Sequence, residues 1–238
     1  MVRRTPGGPV LNPFLHGTVT EVERIAERMR RIRIAGPRLR GLEWVPGTHV
    51  RVRVGDPLRP RAWLDGVLRT YSIWDHSPEG HLDLCVLDHP SAGPGALWAR
   101  RVRIGDTAAL MGPKGRLVLR DGARYHLFAG DETAAVAFGA MLRALPAGAD
   151  VHGVLVADGP GDRLPLPGGD RPTWVYRPAE LPDAVRSLDL PDVPGVAYLA
   201  GEARACQAVR RHLVDERGWS RRDVVVKPFW TPGRRGMD

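Results

Sequence analysis

Arg69, Thr70, Tyr71 and Ser72 form the sharpest short motif of the chain, because a cation, an aromatic ring and hydroxyl groups alternate at the end of an apolar stretch. In a β-strand, successive side chains point to opposite faces, so Arg69 and Tyr71 share one face and Thr70 and Ser72 the other. A flavin needs a flat partner for its ring, a hydrogen-bond donor near N5 and a cation for its phosphate. The motif fits that chemistry, and it fits equally well a barrel strand that exposes a tyrosine.

A second pattern occurs twice in the C-terminal half, where an apolar run ends in a glycine and an acid before a helical stretch. The two junctions are Gly130 with Asp131 and Gly201 with Glu202. In a parallel sheet such junctions lie at the carboxyl edge, where ligands bind and helix N-termini offer free N–H groups to anions. The alternative is that Asp131, Glu202 or Thr133 simply cap the helices. The sequence favours neither reading.

The predicted secondary structure that positions these residues changes half-way along the chain, from β-strands alone to alternating strands and helices. Short runs with period-two alternation and turn residues between them predict an antiparallel barrel, with strands in residues 17–34, 49–54, 68–74, 82–87 and 107–111. Apolar strands that alternate with helices then predict a parallel sheet. Its strands are expected at 125–129, 151–156, 174–176, 196–200 and 224–226, and its helices at 131–145, 181–188 and 202–217. We place the domain boundary between residues 121 and 122, giving domains 1–121 and 122–238.

Composition excludes several classes of protein. The chain is 43% hydrophobic and carries a formal net charge of +8, but its arginines are spread along its whole length, so we expect no nucleic-acid binding. Cys85 and Cys206 lie far apart and outside any Cys/His cluster, so we expect buried thiols and no metal site. No apolar run is long enough to span a bilayer and the N-terminus does not resemble a signal peptide, so we expect a cytoplasmic protein.

The order of motifs resembles that of the siderophore-interacting protein family. The series runs from Arg69-Thr70-Tyr71-Ser72 through Val86-Leu87-Asp88-His89 and Gly93-Pro94-Gly95-Ala96-Leu97-Trp98-Ala99 to Gly112-Pro113-Lys114-Gly115, then Gly130-Asp131-Glu132-Thr133, Gly201-Glu202 and Phe229-Trp230. The resemblance implies an N-terminal antiparallel six-stranded FAD-binding barrel followed by a parallel-sheet α/β domain of the NAD(P)H-binding type.

The resemblance also implies which residues bind the cofactors. They are Arg69, Thr70, Tyr71, Ser72, Leu87, Asp88, His89, Gly93, Pro94, Gly95, Ala96, Leu97, Trp98, Asp131, Thr133 and Trp230. The chain departs from the family pattern in four places: Pro90 follows the histidine, Gly95-Ala96 replaces Ala-Ser, Val136 replaces a proline, and the arginine of the closing pattern moves to Arg234 and Arg235. The lost serine hydroxyl removes one phosphate donor, although backbone N–H groups near Gly95 can take over that contact.

The function that the resemblance implies is reduction of ferric siderophores. NAD(P)H would reduce the flavin, which would pass single electrons to chelated Fe(III) and release Fe(II). Asp158 slightly favours NADH, because an acid at that strand end suits a ribose hydroxyl, while the nearby Arg163 could reverse the preference. Anionic chelates are expected to meet a basic mouth, with Lys114, Arg116, Lys227, Arg234 and Arg235 as candidates. A ferredoxin is a further candidate partner, and we expect a monomer.

Three alternatives share some of these residues. The first is an NAD(P)H-flavin reductase with a non-iron acceptor, and the second is a flavin-binding protein of a biosynthetic pathway that has lost the use of nicotinamide. The third, of a different class, is a basic interaction module, which would be colourless and would bind nucleic acid in a salt-dependent way.

Overall fold

The N-terminal half folds into the six-stranded barrel that the sequence predicts. In the computed structural model, which describes residues 14–55, 67–89, 93–168 and 171–233, the strands close in the order β1-β2-β5-β4-β3-β6 with antiparallel pairing. Their bounds are β1 Leu15–Ala26, β2 Met29–Ala35, β3 His49–Val54, β4 Val67–Ser77, β5 His81–Leu87 and β6 Thr107–Lys114. The valines of β3 alternate into the barrel core while its basic side chains point away, as the period-two pattern requires.

The C-terminal half is a parallel sheet flanked by helices, and this prediction is also confirmed. Its strands are β7 His126–Asp131, β8 Val151–Val156, β9 Thr173–Val175, β10 Val196–Glu202 and β11 Val224–Trp230, in the order β11-β10-β7-β8-β9. The helices are α2 Glu132–Ala144, α3 Leu181–Arg186 and α4 Ala203–Arg211. The sequence predicts α4 as continuing to residue 217, whereas the structure ends it at Arg211 and continues with a π-helical turn, His212–Glu216.

One helix is absent from the sequence-based assignment. Helix α1, Pro94–Arg101, follows β5 in a segment to which no helix or strand was assigned from the sequence. The segment contains Gly93, Pro94 and Gly95, which are turn signals in most contexts. Here the proline takes the first helical position, where its missing N–H costs nothing.

The two halves pack tightly against each other through α2. Trp74 of β4 lies against Gly139, where an added Cβ would collide with the indole. The guanidinium carbon of Arg143 lies 4.4 Å from the centre of the same ring, a cation–π contact. The side chains at this junction are buried, so the barrel and the sheet present one continuous surface to any ligand.

The turn between β1 and β2 makes a second junction. Arg28 in that turn forms ion pairs with Glu132 at 2.7 Å, Asp158 at 2.6 Å and Asp162 at 3.0 Å, all three from the sheet domain. Its backbone N–H also donates to Asp162 Oδ1 at 3.0 Å. One barrel arginine therefore ties the turn to the carboxyl edge of the sheet.

Candidate functional site

A cleft of about 850 Å³ runs between the barrel and the carboxyl edge of the parallel sheet. Its size is in the range of cofactor-binding clefts. The structure brings most of the sequence-predicted residues to it: Arg69, Thr70, Tyr71, Ser72, Leu87, His89, Gly93, Gly95, Ala96, Asp131, Thr133, Trp230, Lys114, Arg116 and Lys227 all line the cleft. Residues from both halves of the chain, from Arg69 to Trp230, therefore line one cleft.

Tyr71 lies where β4 meets helix α1. Its ring centre is 6.1 Å from that of Trp98, and the phenol group lies so close to Gly95 that a side chain there would collide with it. Burial raises the pKa of the Tyr71 phenol, against the opposing effect of the nearby Arg69, so the phenol stays neutral. The absence of a side chain at Gly95 thus allows helix and tyrosine to approach closely.

The N-terminus of α1 faces the cleft without a side-chain cap. Gly93 precedes the helix in an extended conformation and provides no side-chain cap, and Gly95 and Ala96 of the first turn line the cleft. The first-turn N–H groups and the positive end of the helix dipole form an anion site, beside the guanidinium of Arg69. A dinucleotide cofactor with a pyrophosphate and a flat ring fits this arrangement, because a phosphate site and an aromatic wall lie in one cleft.

The helix N-termini at the edge of the sheet are different. Asp131 Oδ1 accepts from the N–H groups of Thr133 at 2.9 Å and Ala134 at 3.2 Å, while Glu202 accepts from those of Arg204 and Ala205. Both acids therefore cap their helices, and both also line the cleft at the carboxyl edge of the sheet. These two helix starts are therefore already occupied by the protein's own carboxylates.

Carboxylates also dominate the cleft lining near the β1–β2 turn. Glu132 and Asp158 line the cleft there and share Arg28 as a partner. Burial raises the pKa of Glu132 to about 7, with the neighbouring Asp131 and Asp158 adding to the effect and Arg28 opposing it. This end of the cleft holds negative charge that one arginine only partly balances.

The opposite end of the lining is basic. Across three neighbouring strands, Ser72 pairs in register with His49, and His49 with Lys114. Desolvation lowers the pKa of His49, and the nearby Lys227, Arg51 and Lys114 lower it further, so its ring is neutral at neutral pH. Among the described residues, Lys114 and Lys227 form no ion pair, so their charges remain available to an anionic ligand.

The other predicted residues lie off the cleft lining or outside the described ranges. Asp88 accepts from Arg100 at 2.7 Å, and Leu97 is exposed on α1. Pro94 starts α1, and Trp98 packs against Tyr71 instead of lining the cleft. Arg234, Arg235 and Pro90 are outside the described residues.

Several side chains that line the cleft could not be predicted as site residues from the sequence. Arg28, His49 and Glu132 are among them. His49 is the first residue of a strand that the sequence predicts clearly. That it lies beside Ser72 follows only from the pairing of β3 with β4, which the sequence does not show. Arg28 and Glu132 form an ion pair between the two domains, and no local sequence pattern predicts such a contact.

The described residues contain neither a metal-binding cluster nor a helix that could cross a membrane. Within residues 14–55, 67–89, 93–168 and 171–233, no group of three or more His, Cys, Asp or Glu side chains is arranged to hold a metal ion. Within the same ranges, every helix is too short or too polar to cross a membrane.

Sequence profiles of known families match both halves of the chain. The siderophore-interacting FAD-binding domain matches residues 18–117, and the siderophore-interacting protein profile matches residues 123–233. The chain belongs to the siderophore-interacting protein family. Its barrel is accordingly an FAD-binding domain, as the resemblance of its motifs predicts.

Solved and curated members of this family and its relatives are similar over most of the chain. The crystal structure of the siderophore-interacting protein SipS from Aeromonas hydrophila superposes with a TM-score of 0.80 at 27% identity, over 94% of each chain. The ferric vibriobactin reductase ViuB of Vibrio cholerae is 26% identical over 71% of this chain and 66% of its own length. The mycobactin import ATP-binding/permease protein IrtA of Mycolicibacterium smegmatis is 28% identical over 91% of this chain. The chain spans only 26% of the length of that transporter.

Proposed function

We propose that this siderophore-interacting protein is an FAD-dependent reductase that passes electrons from NAD(P)H to Fe(III) in a ferric siderophore and releases Fe(II). The observation that carries the proposal is the continuity of the cleft, which joins the Arg69–Ser72 motif, the uncapped start of α1 and the basic groups in one cavity. FAD bound there would supply the conversion of a two-electron hydride donor into two one-electron transfers.

Each wall of the cleft has a definite task in this scheme. Arg69 and the first-turn N–H groups of α1 would hold the FAD pyrophosphate, with the backbone near Gly95 replacing the serine that other family members carry. Tyr71 and Ser72 would bind the ring system, the first by stacking and the second through its hydroxyl group. Trp230, which is 40% exposed at the end of β11, would form the opposite aromatic wall.

The basic end of the cleft would receive the iron chelate. Lys114 and Lys227 lie near the neutral His49, which pairs with Ser72, so an anionic chelate drawn to the two lysines would be near the ring system. The iron needs no protein ligand in this scheme, since the siderophore supplies its coordination. The name of the curated relative ViuB, a ferric vibriobactin reductase, supports a substrate of this class.

The acidic end of the cleft favours NADH over NADPH. Asp158 follows β8 at the position where an acid binds a ribose hydroxyl in related folds, and Glu132 is close to it. A 2′-phosphate would be repelled by these carboxylates, whose charge only Arg28 offsets.

The cytoplasmic location and the monomeric state stay predictions.

A second candidate is a flavoprotein of this family that takes its electrons from a protein, such as a ferredoxin, or that has a non-iron acceptor. One observation favours it: the starts of α2 and α4 are filled by Asp131 and Glu202, so neither offers its first N–H groups to a nicotinamide dinucleotide.

An anaerobic turnover experiment tests both candidates. The FAD-loaded protein is mixed with NADH, then with a ferric tris-catecholate and a ferrous-specific chelator. We expect the flavin absorbance to bleach and then return as two Fe(II) ions appear for each NADH oxidised, because iron takes one electron at a time. Reduction by dithionite but by neither NADH nor NADPH, followed by Fe(II) release, would favour the protein donor. A dithionite-reduced flavoprotein that leaves the ferric chelate unchanged would contradict the ferric reductase function.

A further inference from the structure

Asp131 carries more hydrogen bonds than a helix cap requires. Only 8% of the residue is exposed, and its Oδ1 serves α2 by accepting from the Thr133 and Ala134 N–H groups and from the Thr133 hydroxyl at 2.5 Å. Its Oδ2 is directed elsewhere: it accepts from the Glu202 N–H at 2.9 Å and from the Trp230 indole N–H at 2.7 Å. One carboxylate thereby joins the carboxyl ends of β7, β10 and β11.

The surrounding backbone is built to admit this carboxylate. Gly201 adopts a left-handed φ of +103°, and the atoms that an added Cβ would meet there all belong to the Asp131 carboxyl group, at 2.5 to 2.7 Å. Any other residue would be strained by the backbone and blocked by the carboxylate. The carboxyl end of β10 is therefore shaped around Asp131.

The side chain of Trp230 is partly exposed, and its indole N–H is held by Asp131. The residue is 40% exposed, lies at the end of the last strand and lines the cleft. An exposed tryptophan at a strand end has several accessible rotamers, and a charge-assisted hydrogen bond to a buried carboxylate selects one of them.

We propose that Asp131 is a positioning residue for Trp230, holding the indole as a fixed wall of the cleft before the flavin ring binds. The effect of this positioning on FAD binding rests on the proposed function, because Trp230 would contact the flavin ring. The hydrogen bond between Asp131 and Trp230 does not, because it is present in the protein without cofactor. Asp131, which the family resemblance suggests as a cofactor ligand, would then act on the cofactor through Trp230.

The first test is made on the FAD-free protein by NMR of its tryptophan indole N–H groups. Trp230→Phe identifies the Trp230 signal, which we expect to be shifted downfield and protected from exchange with water. In Asp131→Asn the amide NH₂ cannot accept at the Oδ2 position, so exchange of that signal should be at least about tenfold faster. An equally fast exchange in the unsubstituted protein would overturn the proposal, whatever the protein does with FAD.

The second test measures the Kd for FAD in the same variants. Asp131→Asn and Trp230→Phe should each raise it about three- to tenfold, the usual effect of having to order one further side chain on binding. Two matched controls should leave it unchanged: Asp162→Asn alters another buried carboxylate, and Trp44→Phe another tryptophan, both outside the cleft lining.

The two tests separate failure of the inference from failure of the proposed function. A protected Trp230 N–H together with no FAD binding to the unsubstituted protein would contradict the flavoenzyme function and leave the hydrogen bond established. Protection with equal losses of FAD affinity in Asp162→Asn and Asp131→Asn would overturn the positioning role, since the effect would then be one of general destabilisation.

Discussion

At the scale of single residues, the candidate site depends on contacts between residues that are far apart in the sequence. The Arg69–Ser72 motif is recognisable from residue types alone, and all of its members line the cleft. What the sequence could not supply is the helix opposite them, because Gly93, Pro94 and Gly95 read as a loop until α1 is seen to begin there. The same limit applies to Asp131, whose bond to Trp230 spans 99 positions.

Arg69 is expected to be the main side-chain contact to the FAD phosphates. Arg69→Met should raise the Kd for FAD about tenfold or more, since a charge-assisted hydrogen bond to phosphate is worth about 1.5–3 kcal/mol. Fluorescence titration measures this loss. Arg24→Met, at an exposed arginine of β1 outside the cleft lining, is the matched control and should bind FAD normally.

Gly95 is expected to tolerate no side chain. Gly95→Ala would push a methyl group against the Tyr71 phenol, and the required shift of helix or ring should cost about 1–3 kcal/mol of unfolding free energy. Gly159→Ala is the control, because its added Cβ meets nothing within 4 Å and its φ of −167° suits any residue. Equal stability of the two variants in urea would show that α1 does not pack on Tyr71 as described.

At the scale of elements, the β1–β2 turn connects the barrel to the sheet through Arg28. Both sheets could be predicted from their periodicity, since alternation and strand–helix succession are local signals. The contact between them could not, because Arg28, Glu132 and Asp162 come from three distant segments. Ion pairs across a domain junction leave no periodic trace in the sequence.

Removing Arg28 should destabilise the protein. Arg28→Met leaves the carboxylates of Glu132, Asp158 and Asp162 without their partner, and we expect a loss of about 2 kcal/mol after allowing for the partial exposure of the arginine. Urea unfolding measures it. Arg177→Met, which breaks an exposed pair with Glu180, should cost less than about 0.5 kcal/mol.

Glu132 should make stability depend on pH in a known direction. Its pKa is raised from 4.5 to about 7 in the folded protein, so the fold favours the protonated form. The resulting stabilisation is complete below pH 4.5 and is lost as the pH rises through about 7, by at most about 3 kcal/mol. Glu132→Gln should remove this slope from the urea midpoint measured between pH 4.5 and 8. A slope of unchanged size in the variant would assign it to other groups.

At the scale of the whole molecule, charge is distributed unevenly along the cleft. The net charge of +8 decides nothing alone, because arginines occur throughout the chain. Lys227 belongs to the edge strand β11 and lies with Lys114 near His49, whereas Glu132 and Asp158 follow β7 and β8. The sequence could suggest Lys114 and Lys227 as part of a basic cleft entrance. Only the fold shows that both lie near His49, the partner of Ser72.

This distribution predicts a preference among iron chelates. The double variant Lys114→Gln/Lys227→Gln should raise KM for an anionic ferric catecholate about five- to tenfold, with a smaller effect at high salt. KM for an uncharged ferric hydroxamate should hardly change, and kcat should be retained for both. Equal losses for the two chelates would mean that the lysines act on the fold or the flavin and not on substrate charge.

The binding of FAD to the cleft is the central claim, and one titration tests it most directly. The cofactor-free protein is titrated with FAD while flavin absorbance and tryptophan fluorescence are recorded, alongside Arg69→Met. We predict saturable binding of one FAD per chain, a perturbed flavin spectrum, quenched tryptophan emission and weaker binding to the variant. Failure to bind FAD, or equal affinity in Arg69→Met and the unsubstituted protein, would contradict the assignment of this cleft as the flavin site.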